Sequence, residues 1–134
     1  MTFDWDKALS FEGNSGPYIQ YAYVRAKKIL PADFTPKPSA NNLELSPHDK
    51  SLIQSLAGFR DAVDTTAKTY KPHHIALYAY SLAVTFNGFY VHTPKILEEK
   101  NTELRDFRLA LVAKATETLK QSFELLGIEM PSEM

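Results

Sequence analysis

The feature that most constrains the fold is the spacing of apolar residues, which recur every three or four positions between prolines along much of the chain. After Lys71-Pro72 the spacing places these residues on one helical face: Ile75, Tyr78 or Ala79, Leu82, Phe86 and Phe89. Such steps match the α-helical period of about 3.6 residues, and the alternation typical of a half-buried strand is nearly absent. The pattern predicts an all-α fold.

Prolines mark the limits of the first predicted helix. It runs from about Pro17 to Leu30, because proline is tolerated in the first turn of a helix and Pro31 stops its continuation. Residues 31–46 contain further prolines and paired asparagines, and they are predicted to form a surface connection.

Ser46 has the features of a helix N-cap, with Pro47 at the first helical position. Asp49 stands where a capping box prefers Glu or Gln, so the sequence predicts only a partial box. Gly58 divides the apolar pattern that follows into two short helices.

Two longer helices complete the prediction. One opens at Lys71-Pro72 and is bounded by Pro94, and the last begins near Asn101 or Thr102 and ends at Gly127. One face of the last helix is predicted to carry Leu104, Arg108, Leu111, Ala115, Leu119, Ser122 and Leu126. About five helices with short connections indicate a helical bundle.

Composition limits the class of protein. A chain of 134 residues fits one domain, here residues 1–134, and the absence of cysteine excludes disulfides and thiolate metal sites. The absence of cysteine also fits a reducing compartment, so we expect a cytoplasmic location. No apolar run is as long as the roughly 20 residues of a membrane span, so we expect no membrane partner. Because the net charge is −1, any binding to nucleic acid must depend on a local surface.

The histidines do not form a recognisable catalytic or metal-binding pattern. His73 and His74 are adjacent, so on a helix they point about 100° apart and cannot chelate one metal well. His48 and His92 are isolated in sequence, and "EGNSGP" lacks the lysine and hydroxyl of a nucleotide-binding loop. We therefore expect no metal, no catalytic residue and no enzymatic activity within this chain.

The aromatic residues beside positive charge leave two interpretations open. Tyr18, Tyr21 and Arg25 are spaced to share one helical face, and Phe86 and Tyr90 lie four residues apart on another helix. Rings of this kind can stack on bases, each contributing roughly 1–3 kcal/mol. Periodicity alone favours the other interpretation, in which the rings pack in the core with only the hydroxyl in contact with water.

Three sequence blocks resemble one protein family in their residues and in their order along the chain. They are "ALSFEGNSGPYIQYAYVRAKKIL", "ALYAYSLAVTFNGFYVHTPKIL" and "RLALVAKATETLKQSFELLGIEMPSEM". Together they are similar to the C-terminal anticodon-binding (DALR-type) domain of arginyl-tRNA synthetases, over nearly the whole chain and most loosely between Pro31 and Tyr70.

The resemblance implies an RNA-binding role for particular residues. In the family, the second tyrosine of the PYxQYA element, the tyrosine of FNxFY and the terminal methionine contact the anticodon loop. These positions are Tyr21, Tyr90 and Met134 in this chain. The motifs also contain Tyr18, Arg25 and Arg108, for which either an RNA contact or a role in holding the fold is expected.

The resemblance also implies partners. The expected ligand is the anticodon loop of arginine tRNA, with no DNA partner and no cofactor bound to this chain. Because HIGH and KMSKS signatures are absent, ATP and Mg would be used by a catalytic domain elsewhere in the parent enzyme. Residues 1–16 would lead in from that domain. The alternative is a helical protein-interaction module whose aromatic face binds a partner helix.

Overall fold

The computed structural model describes residues 16–32, 34–35, 43–93 and 95–127. This part of the chain forms five α-helices and one 3-10 helix, without a strand. The helices are α1 (Gly16–Ile29), α2 (Pro47–Ala57), α3 (Phe59–Thr69), α4 (His73–His92) and α5 (Thr102–Leu125), with the 3-10 helix at Ile96–Glu98. The predicted all-α bundle is confirmed, and the 3-10 helix is an element that the sequence did not predict.

Helix α4 is the centre of the bundle, since it packs against each of the other four α-helices. A helix with neighbours on several sides is apolar over most of its surface. Its buried residues are Ile75, Ala79, Leu82, Ala83, Phe86 and Phe89, which include the predicted apolar face. Helix α5 packs against α1, α2 and α4 and buries more residues than one stripe would supply, including Leu109, Val112, Thr118 and Phe123.

The start of α2 is held by a complete capping box, where the sequence had predicted a partial one. The Asp49 backbone N–H donates to Ser46 Oγ at 3.1 Å, and the Ser46 N–H donates to Asp49 Oδ2 at 2.8 Å. Aspartate is shorter than the usual glutamate, yet it reaches the N-cap here.

The same aspartate joins α2 to α5. Arg108 donates to it twice, from Nε to Oδ1 and from Nη2 to Oδ2, each at 3.1 Å. The Asp49 side chain is fully buried. Arg108 forms a second ion pair, with its Nη1 3.6 Å from Glu99 Oε2. A buried charge is tolerated only when it is paired and hydrogen-bonded, so this network is part of how the bundle closes.

These contacts make stability depend on pH. Burial raises the pKa of Asp49, but the hydrogen bonds from Arg108 and Ser46 outweigh it and lower the pKa below its ordinary value of 3.8. A carboxyl with a depressed pKa stabilises the fold above its unfolded-state pKa, and that contribution is lost as pH falls through the folded-state pKa.

We therefore expect the free energy of unfolding of the wild type to decrease when the pH is lowered beneath about 4. The difference in free energy of unfolding between the wild type and an Asp49→Asn variant should become smaller over the same pH range. Urea denaturation from pH 6 to about pH 2 measures this gap. Wild-type and variant curves that stay parallel throughout would contradict the assignment.

The break at Gly58 is fixed from α4. The Tyr78 hydroxyl donates to the backbone carbonyl of Ser55 at 2.7 Å, which adds a second hydrogen bond to a carbonyl that also accepts from the Gly58 N–H at 3.2 Å where α2 ends. Burial raises the pKa of Tyr78 to about 12, so the hydroxyl keeps its proton for this bond even at a pH above the ordinary tyrosine pKa of 10.0. At the end of α5, Gly127 has the left-handed φ of 75° that favours glycine, as predicted for this position. Within the described ranges, none of the helices is long and apolar enough to cross a membrane.

Candidate nucleic-acid interface

Helix α1 separates the three tyrosines of "PYIQYAY" between two faces. Tyr23 lies in the core beside Ile19, Ala22 and Ala26, whereas 47% of Tyr21 is exposed. The exposed face continues from Tyr21 to Lys28, seven residues further along the helix. Core packing therefore holds for Tyr23, whereas Tyr21 is exposed and stacking of its ring on a base stays a prediction.

Tyr90 comes to the same surface from the last turn of α4. It is 38% exposed, although Phe86 and Phe89 beside it are fully buried. The rings of Phe86 and Tyr90 pack at a tilt, with centroids 6.3 Å apart. Tyr90 is thus supported from the core side while part of its ring faces solvent.

Arg25 connects the two exposed tyrosines. Its Cζ lies 4.7 Å from the centre of the Tyr21 ring and 4.5 Å from the centre of the Tyr90 ring. Both distances are within the range of cation–π attraction. Its Nη2 also donates to the Tyr21 hydroxyl at 2.9 Å. We call Tyr21, Arg25 and Tyr90 the aromatic–arginine cluster; it presents flat rings and positive charge together.

Asn87 supports this cluster from α4. Arg25 Nη1 donates to Asn87 Oδ1 at 3.3 Å, and Asn87 Nδ2 donates to the Tyr18 hydroxyl at 2.9 Å. The half-buried Tyr18 ring packs on Tyr80, with centroids 5.5 Å apart. Sequence reasoning missed Asn87, although it belongs to the FNxFY element one turn before Tyr90.

An open groove begins at Tyr90. It encloses about 510 Å³ and is lined by Ile29, Tyr90, Val91, Thr93, Lys95, Ile96, Leu97 and Glu98. Lys95 at the rim of the groove has a left-handed backbone conformation with φ of 58°, which is uncommon for residues other than glycine. The groove is apolar at its base and charged at its edge.

Of the remaining sequence candidates, the structure describes Arg108, which is not part of the aromatic–arginine cluster. Arg108 is only 13% exposed and belongs to the Asp49 ion-pair network, so its visible contacts are those that hold the fold. Met134 lies outside the described residues.

The structure brings together two histidines that the sequence kept apart. His48 of α2 and His92 of α4 stack with ring centres 4.0 Å apart, and His92 Nδ1 lies 2.9 Å from the Gly88 carbonyl oxygen. His73 and His74 pack ring against ring at 4.2 Å. Among the described residues, no three histidines, aspartates or glutamates are grouped so that they could hold a metal ion.

Comparison with known proteins finds relatives of one kind, the arginine–tRNA ligases. The chain is 41% identical to an arginine–tRNA ligase of Phocaeicola vulgatus, over 100% of this chain and 23% of that protein. It is 42% identical to the arginine–tRNA ligase of Pyrococcus abyssi, over 100% of this chain and 22% of that protein.

Solved structures agree with these relatives. Arginyl-tRNA synthetase of Thermus thermophilus superposes with a TM-score of 0.84 at 34% identity, covering 98% of this chain and 23% of that one. The enzyme of Plasmodium falciparum gives 0.75 at 28% identity, covering 100% and 24%. The chain thus spans about a quarter of the length of the relatives it matches.

The family comparison matches residues 19–134 to the DALR anticodon binding domain. This range includes the aromatic–arginine cluster and all five α-helices except the first turn of α1. The chain therefore belongs to the DALR anticodon-binding domain family.

Proposed function

We propose that this chain is the anticodon-binding portion of an arginine–tRNA ligase and binds the anticodon loop of arginine tRNA. The observation that carries the proposal is the aromatic–arginine cluster, in which two exposed rings from different helices meet at one guanidinium. Sequence-specific RNA recognition usually targets loops, whose bases can be splayed out and stacked on aromatic or arginine planes.

The geometry suits that task. An unstacked base can stack on the exposed part of Tyr21 or Tyr90, and the groove beside Tyr90 lies within the volume range of small-molecule pockets. The exposed Lys27 and Lys28 at the end of α1 supply charge for phosphates. Phosphate contacts position an RNA, and contacts with bases determine which RNA is bound.

The proposed RNA-binding residues have different support. Tyr21, Arg25 and Tyr90 are supported by exposure and by mutual contact. Tyr18 is proposed to act from behind them, through Asn87. Met134 is proposed as a contact on the family resemblance alone, and for Arg108 the visible ion pairs favour the fold-holding role.

The parent enzyme would supply the chemistry. We propose that ATP and Mg are used by its catalytic domain and that this domain is the second partner of the chain. The chain covers only 23% of the length of a curated relative, which supports the proposal that the parent protein has a larger portion outside this chain. Helix α4 leaves three apolar side chains exposed at seven-residue steps. We propose that they offer a surface for contact with the catalytic domain: Leu77, Val84 and Val91. The proposed location is the cytoplasm.

Titration with two transcripts tests the proposal. We expect the 134-residue chain to bind an arginine tRNA transcript about tenfold or more tightly than the same transcript with an altered anticodon, because each good pair of hydrogen bonds lost from a base edge costs roughly 1–3 kcal/mol. Stacking on the tyrosine rings tolerates any base and should contribute similarly to both transcripts. The two RNAs have the same phosphates, so the electrostatic contribution cancels. Equal and feeble binding to both would overturn the proposal and favour the protein-interaction module.

A further inference from the structure

We infer that Asn87 is a positioning residue for the RNA-binding surface, acting through Arg25 without itself touching RNA. The inference rests on the proposed function and adds a residue to it. Asn87 holds the Arg25 guanidinium against the rings of Tyr21 and Tyr90, so that the surface is already formed before RNA arrives.

The chemistry of the partners fixes the orientation of the Asn87 amide. A guanidinium can only donate hydrogen bonds, so the amide oxygen must face Arg25. The amide nitrogen then faces Tyr18, whose hydroxyl accepts at 2.9 Å. Reversing the amide would oppose its nitrogen to Arg25 Nη1 at 3.3 Å and lose the bond. Asn87 therefore acts as a directional link between Tyr18 and Arg25.

The far end of this link is anchored. The half-buried Tyr18 packs against the core cluster, and its ring contacts Tyr80 of α4. Restraint is thus transmitted from the packed interior through Asn87 to a long side chain at the surface. An arginine already fixed in its bound geometry loses less side-chain entropy when a ligand arrives.

An opposite role for Arg25 is possible on geometry alone, as an occupant that blocks the tyrosine rings until RNA displaces it. Such an occupant should be weakly held. Arg25 instead has a hydrogen bond to Asn87, a hydrogen bond to Tyr21 and contacts with two rings. Two of its five N–H donors are used within the described part of the chain, which leaves others for phosphate or base edges. Positioning is the role that these contacts favour.

A double-mutant cycle separates the two roles and also tests a purely structural one. The variants are Asn87→Ala, Arg25→Ala and their combination, with Thr85→Ala as the matched control on α4. Within the described residues the Thr85 hydroxyl donates to the Ser81 carbonyl one turn earlier and has no contact with the cluster, so its loss should not affect RNA binding. Dissociation constants are measured with the arginine tRNA transcript, and thermal unfolding is followed by circular dichroism.

Positioning predicts that Asn87→Ala weakens binding about fivefold with Arg25 present, and by less than about 1.5-fold in the Arg25→Ala background, as for residues of one network. Alanine favours helices, so α4 should remain folded. Tyr18→Phe keeps the ring but removes the acceptor, and it should weaken binding about twofold through the same link.

Each other outcome has a definite meaning. Tighter binding by Asn87→Ala would identify Arg25 as a blocking occupant and overturn the inference. Equal losses in both backgrounds would show that Asn87 acts independently of Arg25, which also overturns it, as would unchanged binding. Wild-type chain that fails to distinguish the two transcripts would overturn the proposed function itself, and that result is recognised before any variant is measured.

Discussion

Replacement of Tyr21 or Tyr90 by alanine is expected to weaken binding of arginine tRNA by about tenfold or more at each position, because a stacked base contributes roughly 1–3 kcal/mol. Tyr21→Ala removes the ring and the hydroxyl that accepts from Arg25. Tyr90→Ala removes the second ring in contact with the guanidinium and one wall of the groove. Because the two rings share Arg25, the double variant should lose less than the sum of the single losses.

The measurement is a titration with the arginine tRNA transcript, accompanied by circular dichroism. Helical content should stay unchanged, since both side chains are substantially exposed and the core beneath them keeps Phe86 and Phe89. Tyr70→Ala is the matched control, because Tyr70 is 90% exposed and lies outside the cluster. Variants at Tyr21 and Tyr90 that simply unfold would show that these rings act in packing and not in recognition.

Loss of the Arg108 side chain is expected to have the largest effect on stability. Arg108→Ala leaves the fully buried Asp49 without its bidentate partner, and breaking one side of a buried ion pair typically costs about 3–5 kcal/mol. A domain of this size is stable by only about 5–15 kcal/mol in total. The variant should therefore unfold at markedly lower urea concentration than the wild type.

Arg105→Ala is the matched control for this experiment. Arg105 pairs with its neighbour Asp106 at 3.3 Å, and each side chain is about one-third exposed. An exposed pair contributes about 0–1 kcal/mol, so the control should stay close to the wild type. If Arg108→Ala instead kept full stability and lost tRNA affinity, Arg108 would be an RNA contact and the fold-holding role would be wrong.

The helices were predictable because their signals are local. Ser46 with Pro47, Gly58, Asn101 and Gly127 each act within one turn of the backbone. In the structure a helix begins after Ser46 and after Asn101, the helical run breaks at Gly58, and the last helix ends before Gly127. The apolar face of α4 was likewise predicted from its spacing. The capping box was underestimated because aspartate ranks below glutamate on average, whereas the local geometry of α2 lets this aspartate reach.

The residue contacts at the candidate site were less predictable. Spacing placed Tyr21 and Tyr90 among the rings that could either stack on bases or pack in the core, and only the family resemblance assigned them to the anticodon loop. Spacing alone does not distinguish an exposed ring from a buried one. Asn87 was missed since its role exists only when Tyr18 and Arg25 of α1 lie against it. The stacking of His48 on His92 was missed for the same reason, because 44 positions separate the two residues along the chain.

The sequence by itself determined the α-helices, their limits and the family to which the chain belongs. Helix caps, apolar periodicity and sequence motifs are all properties of residues that are close together along the chain. Only the tertiary structure decided which tyrosine of α1 is core and which is surface, and that Arg25 meets rings from two helices. The physical reason is that burial and cation–π contact depend on how α1 is rotated against α4. That rotation is fixed by the packing of many side chains together, and no single segment carries it.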